Sequence, residues 1–125
     1  MPRFRRTDRL NEQFRQELSL LIREQVRDPR VGMATITAVQ TSPELDHARV
    51  YLSVLGDDDA RSEAVVGLQS AAAFLRGQLG KRLRLRRVPE LHFELDRVLE
   101  EAQRIESLLR EALPDGAEES EEGPA

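Results

Sequence analysis

The chain has no cysteine and no tryptophan, one tyrosine and four phenylalanines among its 125 residues. Without a thiol it can hold no disulfide, no thiolate metal site and no cysteine nucleophile. No stretch approaches the ~20 apolar residues of a membrane span. The N-terminus lacks the apolar core of a secretion signal, so a soluble cytoplasmic protein is expected. There is no internal repeat, no glycine-rich phosphate loop, no G-x-S-x-G elbow and no H-E-x-x-H pair. One further absence is local: between Arg76 and Arg87 there is not a single acid.

That acid-free window carries six cations, Arg76, Lys81, Arg82, Arg84, Arg86 and Arg87. Each Lys or Arg that neutralises a phosphate releases a condensed counterion, so such a cluster attracts a polyanion. The alternative is a solvated helix face, but those intersperse both signs to form pairs. The total charge of −4 conceals the cluster. Residues 1–87 hold 16 Lys or Arg against 11 Asp or Glu, net +5, and residues 88–125 hold 3 against 12, net −9. An N-terminal arm with Arg3, Arg5, Arg6 and Arg9 is a second candidate contact, or a solubilising end.

Periodicity supplies the frame. Thr7 or Asp8 can cap a first helix whose apolar face is Leu10, Phe14, Leu18, Leu21, Ile22 and Val26, and Asp28-Pro29 ends it. Residues 34–42 and 48–55 read as strands, joined by a link (residues 43–47) short enough for an antiparallel hairpin. Asp57-Asp58-Asp59 opens one long helix with Val65, Leu68, Ala72, Leu75, Leu79 and Leu83 on a face, and a bend is expected at Ala71, Ala72 and Ala73. Leu91, Phe93 and Leu95 alternate as a third strand beyond Pro89. A last helix over residues 97–113, capped by Asp96, presents Val98, Ala102, Ile105, Leu109 and Ala112. Residues 115–125 contain five acids and no base, the composition of a disordered tail. The fold class is α+β: one domain over residues 1–113, a three-stranded sheet with helices on one face, and an acidic tail over residues 114–125.

Catalytic and metal readings find little support. The three aspartates at 57–59 cap a helix and favour its positive end more simply than they bind a cation. His92, Glu94 and Asp96 share a strand face, yet alternating polar residues are what a solvated sheet face looks like. His47 falls in the expected turn with no partner in sequence. No catalytic residue, metal ligand or cofactor is assigned, and the chain is not read as an enzyme. Gly77-Gln78-Leu79-Gly80 spells a literal GxxG, but Leu79 belongs to the apolar face of a helix, so helix interior is expected. Base stacking has little to draw on, because Phe4, Phe14, Phe74, Phe93 and Tyr51 are the only rings and most fall on faces assigned to the core.

Three segments, RDPRVG at residues 27–32, SPELDHARVYLSVLG at 42–56 and the stretch SAAAFLRGQLGKRLRLRRVPELHFELD at 70–96, resemble the ribosome-binding factor A family. The resemblance covers residues 5–113. It implies a KH-like fold of the second type, helix-strand-strand-helix(kinked)-strand plus a C-terminal helix, in which an Ala-x-Gly kink replaces the GxxG loop. Ala71, Ala72 and Ala73 match that kink, with Ala73 where the family has glycine. The resemblance further implies a monomer that binds the free, immature small (30S) ribosomal subunit and its 16S rRNA, with other assembly factors as candidate partners. It would assist late 16S rRNA folding and 5′-end processing, with a role in cold adaptation. The alternatives are a KH-like RNA-binding module without ribosome specificity and a protein-interaction adaptor.

Overall fold

A computed structural model of the chain describes residues 6–112. Helix α1 (Arg6–Gln25) leads through a 3-10 turn (Pro29–Val31) to strands β1 (Ala34–Thr41) and β2 (His47–Val54). Helices α2 (Asp58–Ser70) and α3 (Ala72–Leu83) follow, then β3 (Glu90–Leu95) and α4 (Arg97–Ala112). The strands form one mixed sheet in the order β1-β2-β3, antiparallel between β1 and β2 and parallel between β2 and β3. A parallel pair needs a long crossover, and α2 with α3 supplies it. Crossing behind the sheet, these two helices join α1 in covering one face. The core is Phe14, Leu18 and Leu21 of α1, Val50 and Leu52 of the central strand, and Leu68, Leu75 and Leu79 of the crossover, all fully buried.

Local departures from simple periodicity set the shape. Ile36 and Val39 both reach the core although they are three residues apart, which a regular strand forbids. The β1–β2 register slips between Ile36 and Ala38, so Thr37 sits in a bulge that restores the inward phase. At the end of β1, Asn11 Oδ1 accepts from the Thr41 N–H at 3.1 Å and the Thr41 hydroxyl at 2.7 Å. This ties the only buried polar residue among those described to α1.

The long second helix expected from the sequence is two helices, interrupted at Ala71 (φ −91°, ψ 2°). The interruption loses few bonds: the Ala71 N–H donates to Leu68 O at 3.0 Å, and Ala71 O accepts from Leu75 N–H at 2.9 Å. Gln69, just before the break, donates through Nε2 to Leu91 O at 3.1 Å and accepts at Oε1 from Phe93 N–H at 2.9 Å. Its amide thus satisfies backbone groups on the free edge of β3, as a neighbouring strand would. Gly67 lets the 3-10 turn approach, since a Cβ there would stand 3.0 Å from Val31 Cγ1.

Capping follows the sequence reading with one shift. Asp57 Oδ1 accepts from Ala60 N–H at 2.8 Å and starts α2, and Asp96 Oδ1 accepts from Leu99 N–H at 3.0 Å and starts α4. Helix α1 begins at Arg6, so Asp8 lies in its first turn rather than ahead of it. No residue of α4 is buried, and Val98 is 82% exposed. The helix is tethered near its start, where Arg61 Nε stands 3.6 Å from Glu100 Oε2. Leu113 and the acidic segment 114–125 lie outside the described residues. No helix among those described is long and apolar enough to cross a membrane.

Candidate nucleic-acid interface

The basic window is built by the end of α3 and the loop that leads into β3. Arg84 terminates α3 in the left-handed conformation (φ 53°, ψ 45°), its N–H reaching Lys81 O at 3.4 Å, while Leu85 N–H reaches Gly80 O at 2.9 Å. This pair of bonds is the Schellman ending, usually made by glycine. The reversed chain folds back along α3. Gly80 permits it, because a Cβ there would meet Val88 Cγ2 at 2.8 Å, and Arg76 Nε donates to Val88 O at 2.9 Å.

Between α3 and the returning loop lies an open groove of 500 Å³ whose cationic lining is Arg76, Lys81 and Arg86. Gly77 and Gly80 form part of its wall. The GxxG is therefore helical, as expected, with Leu79 fully buried between the two glycines. Nothing lies within 4 Å of where a Cβ on Gly77 would stand. Helix backbone is consequently open to a ligand between two cations.

The six cations separate into groups. Lys81, Arg84 and Arg86 are exposed and have no ion-pair partner among the described residues. Arg82 points back to α1, reaching Glu24 at 2.8 Å and Glu17 at 3.4 Å. Arg87 pairs with Asp46 of the hairpin turn at 2.9 Å. Arg82 and Arg87 thus make surface ion pairs from the window to α1 and to the hairpin turn. Lys81 and Arg82 also occupy the last turn of α3, where positive charge offsets the helix dipole. In the arm, Arg3 and Arg5 lie outside the described residues, Arg6 opens α1, and Arg9 is exposed along it.

Of the rings, Phe4 lies outside the described residues. Phe14 and Phe93 are buried, but Phe74 is 47% exposed on α3, the helix that carries the groove. The cluster considered at His92, Glu94 and Asp96 does not form. Asp96 is engaged elsewhere: its Oδ2 accepts from the Thr37 hydroxyl at 2.6 Å across the sheet. That bond, with the N–H groups at the start of α4, holds its carboxyl below the usual carboxylate range. His47 is the first residue of β2 rather than part of a turn, and its Nδ1 lies 3.1 Å from His92 Nε2. The parallel pairing that joins these histidines has no local signature in sequence.

Comparison with known proteins adds the lineage. The model of the family "Ribosome-binding factor A" matches residues 6–109. The chain belongs to the ribosome-binding factor A family. It is 46% identical over 114 residues to ribosome-binding factor A of Thioalkalivibrio sulfidiphilus, covering 90% of this chain and 88% of that one. Among solved structures it is similar to a Thermotoga maritima protein described as a putative ribosome binding factor A, determined by solution NMR. There the TM-score is 0.67 at 33% identity, over 75% of this chain and 90% of the other. It is also similar to a homology model of Thermus thermophilus ribosome binding factor A as fitted into the cryo-EM map of a 30S complex with that factor. Here the TM-score is 0.60 at 29% identity, over 71% of this chain and 93% of that one. Ribosome-binding factor A is a family of ribosome-binding assembly factors, not enzymes. The matched span takes in both walls of the groove and the Ala71 break.

Proposed function

We propose that this chain binds the free, immature small ribosomal subunit through the α3 groove and favours a late fold of its 16S rRNA. The observation that carries the reading is the convergence of Arg76, Lys81 and Arg86 on one open groove in an acid-free segment. A relative fitted into a 30S complex supports the same partner. Lys81, Arg84 and Arg86 supply phosphate contacts, while Arg82 and Arg87 are engaged in surface ion pairs with α1 and the hairpin turn. With few exposed rings, recognition rests on RNA shape and phosphate more than on base identity.

The mechanism is differential binding. A protein that prefers one rRNA conformation shifts its population by no more than the difference in affinity between the two states. Maturation of the 16S 5′ end would then follow the shift in fold, with the largest effect in the cold, where misfolded RNA helices escape slowly. The protein acts in the cytoplasm as a monomer. The test is to map 16S 5′ ends and rRNA structure in cells lacking the protein, complemented with the wild-type gene or with K81E/R84E/R86E. Rescue by the wild type alone, most marked at low temperature, is expected. Identical profiles with and without the gene would refute the maturation role. Equal affinity for unrelated structured RNAs at matched salt would instead favour a general RNA-binding module.

A further inference from the structure

The face of the sheet opposite the helices carries a cluster that the rRNA reading does not use. Parallel pairing sets His47 opposite Glu90 and Arg49 opposite His92, so the first residue of β2 meets the first and third residues of β3. His47 Nδ1 and His92 Nε2 are 3.1 Å apart, and Glu90 Oε1 is 3.6 Å from the first and 3.5 Å from the second. Three atoms, each able to donate a lone pair, thus form a small triangle pointing to solvent.

We propose that His47, Glu90 and His92 form a binding site for a divalent transition-metal ion of the zinc class. The dimensions support it. An ion about 2.0–2.1 Å from imidazole nitrogen and about 2.0–2.2 Å from carboxylate oxygen, in tetrahedral geometry, places its ligand atoms about 3.3–3.5 Å apart. The observed 3.1, 3.5 and 3.6 Å require shifts of only tenths of an ångström. Two imidazoles and one carboxylate suit zinc, cobalt, nickel or copper, and are a poor set for magnesium or calcium, which prefer oxygen.

The backbone beneath the triangle is fixed. Ser42 Oγ accepts from His47 N–H at 3.1 Å, and Glu90 N–H donates to Asp46 O at 2.9 Å. Arg49 and Glu94 line the adjoining recess with opposite charges. All three ligands are exposed, so water completes the coordination. The ion would clamp the hairpin end of β2 to the start of β3, immediately after the basic loop.

The chain makes the test clean, because it has two histidines and no cysteine. Untagged full-length protein, stripped with a chelator, is titrated with Zn2+ by calorimetry and with Co2+ by visible absorption, with excess Mg2+ present. One ion per chain is expected, with d–d bands for Co2+. H47A and H92A should each weaken binding about tenfold or more, since loss of even an outer partner of a metal ligand costs ~10–100-fold. E90Q should weaken it as well. The substituted side chains are exposed, and circular dichroism verifies that the variants fold. Absence of uptake by the wild type would overturn the proposal. Uptake that H47A and H92A leave unchanged would overturn it too, since the ion would then be held by carboxylates elsewhere.

Discussion

Gln69→Ala tests how the broken crossover is joined to the sheet. The substitution removes the donor to Leu91 O and the acceptor from Phe93 N–H. Both bonds are part-buried, and each backbone group left without its partner costs about 1–3 kcal/mol; with part of this recovered by water at the β3 edge, the gross loss for the pair is about 3–4 kcal/mol. Release of the glutamine side chain returns up to about 1.5–2 kcal/mol of rotamer entropy when it is fully ordered. Alanine also suits a helix slightly better. The expected net loss is about 1–2 kcal/mol. For a domain of this size each kcal/mol lowers Tm by about 4–8 °C, which gives a drop of about 4–16 °C. Urea unfolding of the full chain, followed by far-ultraviolet circular dichroism, measures it as a lower midpoint at unchanged slope. Gln69→Glu should fare little better, because its carboxylate faces Leu91 O. A Gln69→Ala variant within about 0.5 kcal/mol of wild type would refute the edge-pairing argument.

Three further outcomes follow from the same geometry. Gly77→Ala should stabilise the protein by roughly the helix propensity difference of about 0.8–1.0 kcal/mol. Gly80→Ala drives a Cβ against Val88 and should be about 1–3 kcal/mol less stable than Gly77→Ala; equal midpoints in urea would contradict the close approach. Arg84→Gly relieves a left-handed arginine and should raise stability by up to about 1 kcal/mol. It should also cut the salt dependence of RNA binding by about 0.7–0.9 log units for one phosphate contact, and a change in neither property would contradict both roles. The Asp96 carboxyl is held low by Thr37 and the α4 N–H groups, so its contribution is present above the ordinary carboxylate value of about 3.9 and is lost as pH falls through its lower folded value. Asp96→Asn should therefore be less stable than wild type at neutral pH, with the gap closing in acid. A gap independent of pH would show that the charge is not what matters.

Much of this structure could be read along the chain. The α1 face, the hairpin, the Asp57 and Asp96 caps and the alternation of Leu91 and Phe93 are signals between residues a few positions apart. Features that depend on distant pairing could not be. The bulge at Thr37 makes sense of Ile36 and Val39 only once β2 is beside them. Gln69 reads as an ordinary helix residue until β3 supplies its partners. The basic window was legible as composition, but its division into free and paired cations was not, because Arg82 meets Glu17 and Glu24 some 58 to 65 residues away. His47 and His92 are 45 residues apart and meet through a parallel pairing that no local pattern encodes. The apolar stripe of α4 was equally visible, yet nothing in its periodicity told that the helix would project from the core rather than cover it.

The most direct test of the groove is co-sedimentation with purified small subunits across a salt series, comparing the intact chain with K81E/R84E/R86E. These three cations carry no structural ion pair among the described residues, so reversing them should leave the fold intact by circular dichroism. The intact chain should pellet with the subunits and be released by salt with a slope of about 0.7–0.9 log units per phosphate contact, summed over several contacts, while the folded variant stays in the supernatant. Equal pelleting of the two proteins at every salt concentration would contradict the assignment of the α3 groove as the ribosome-binding surface.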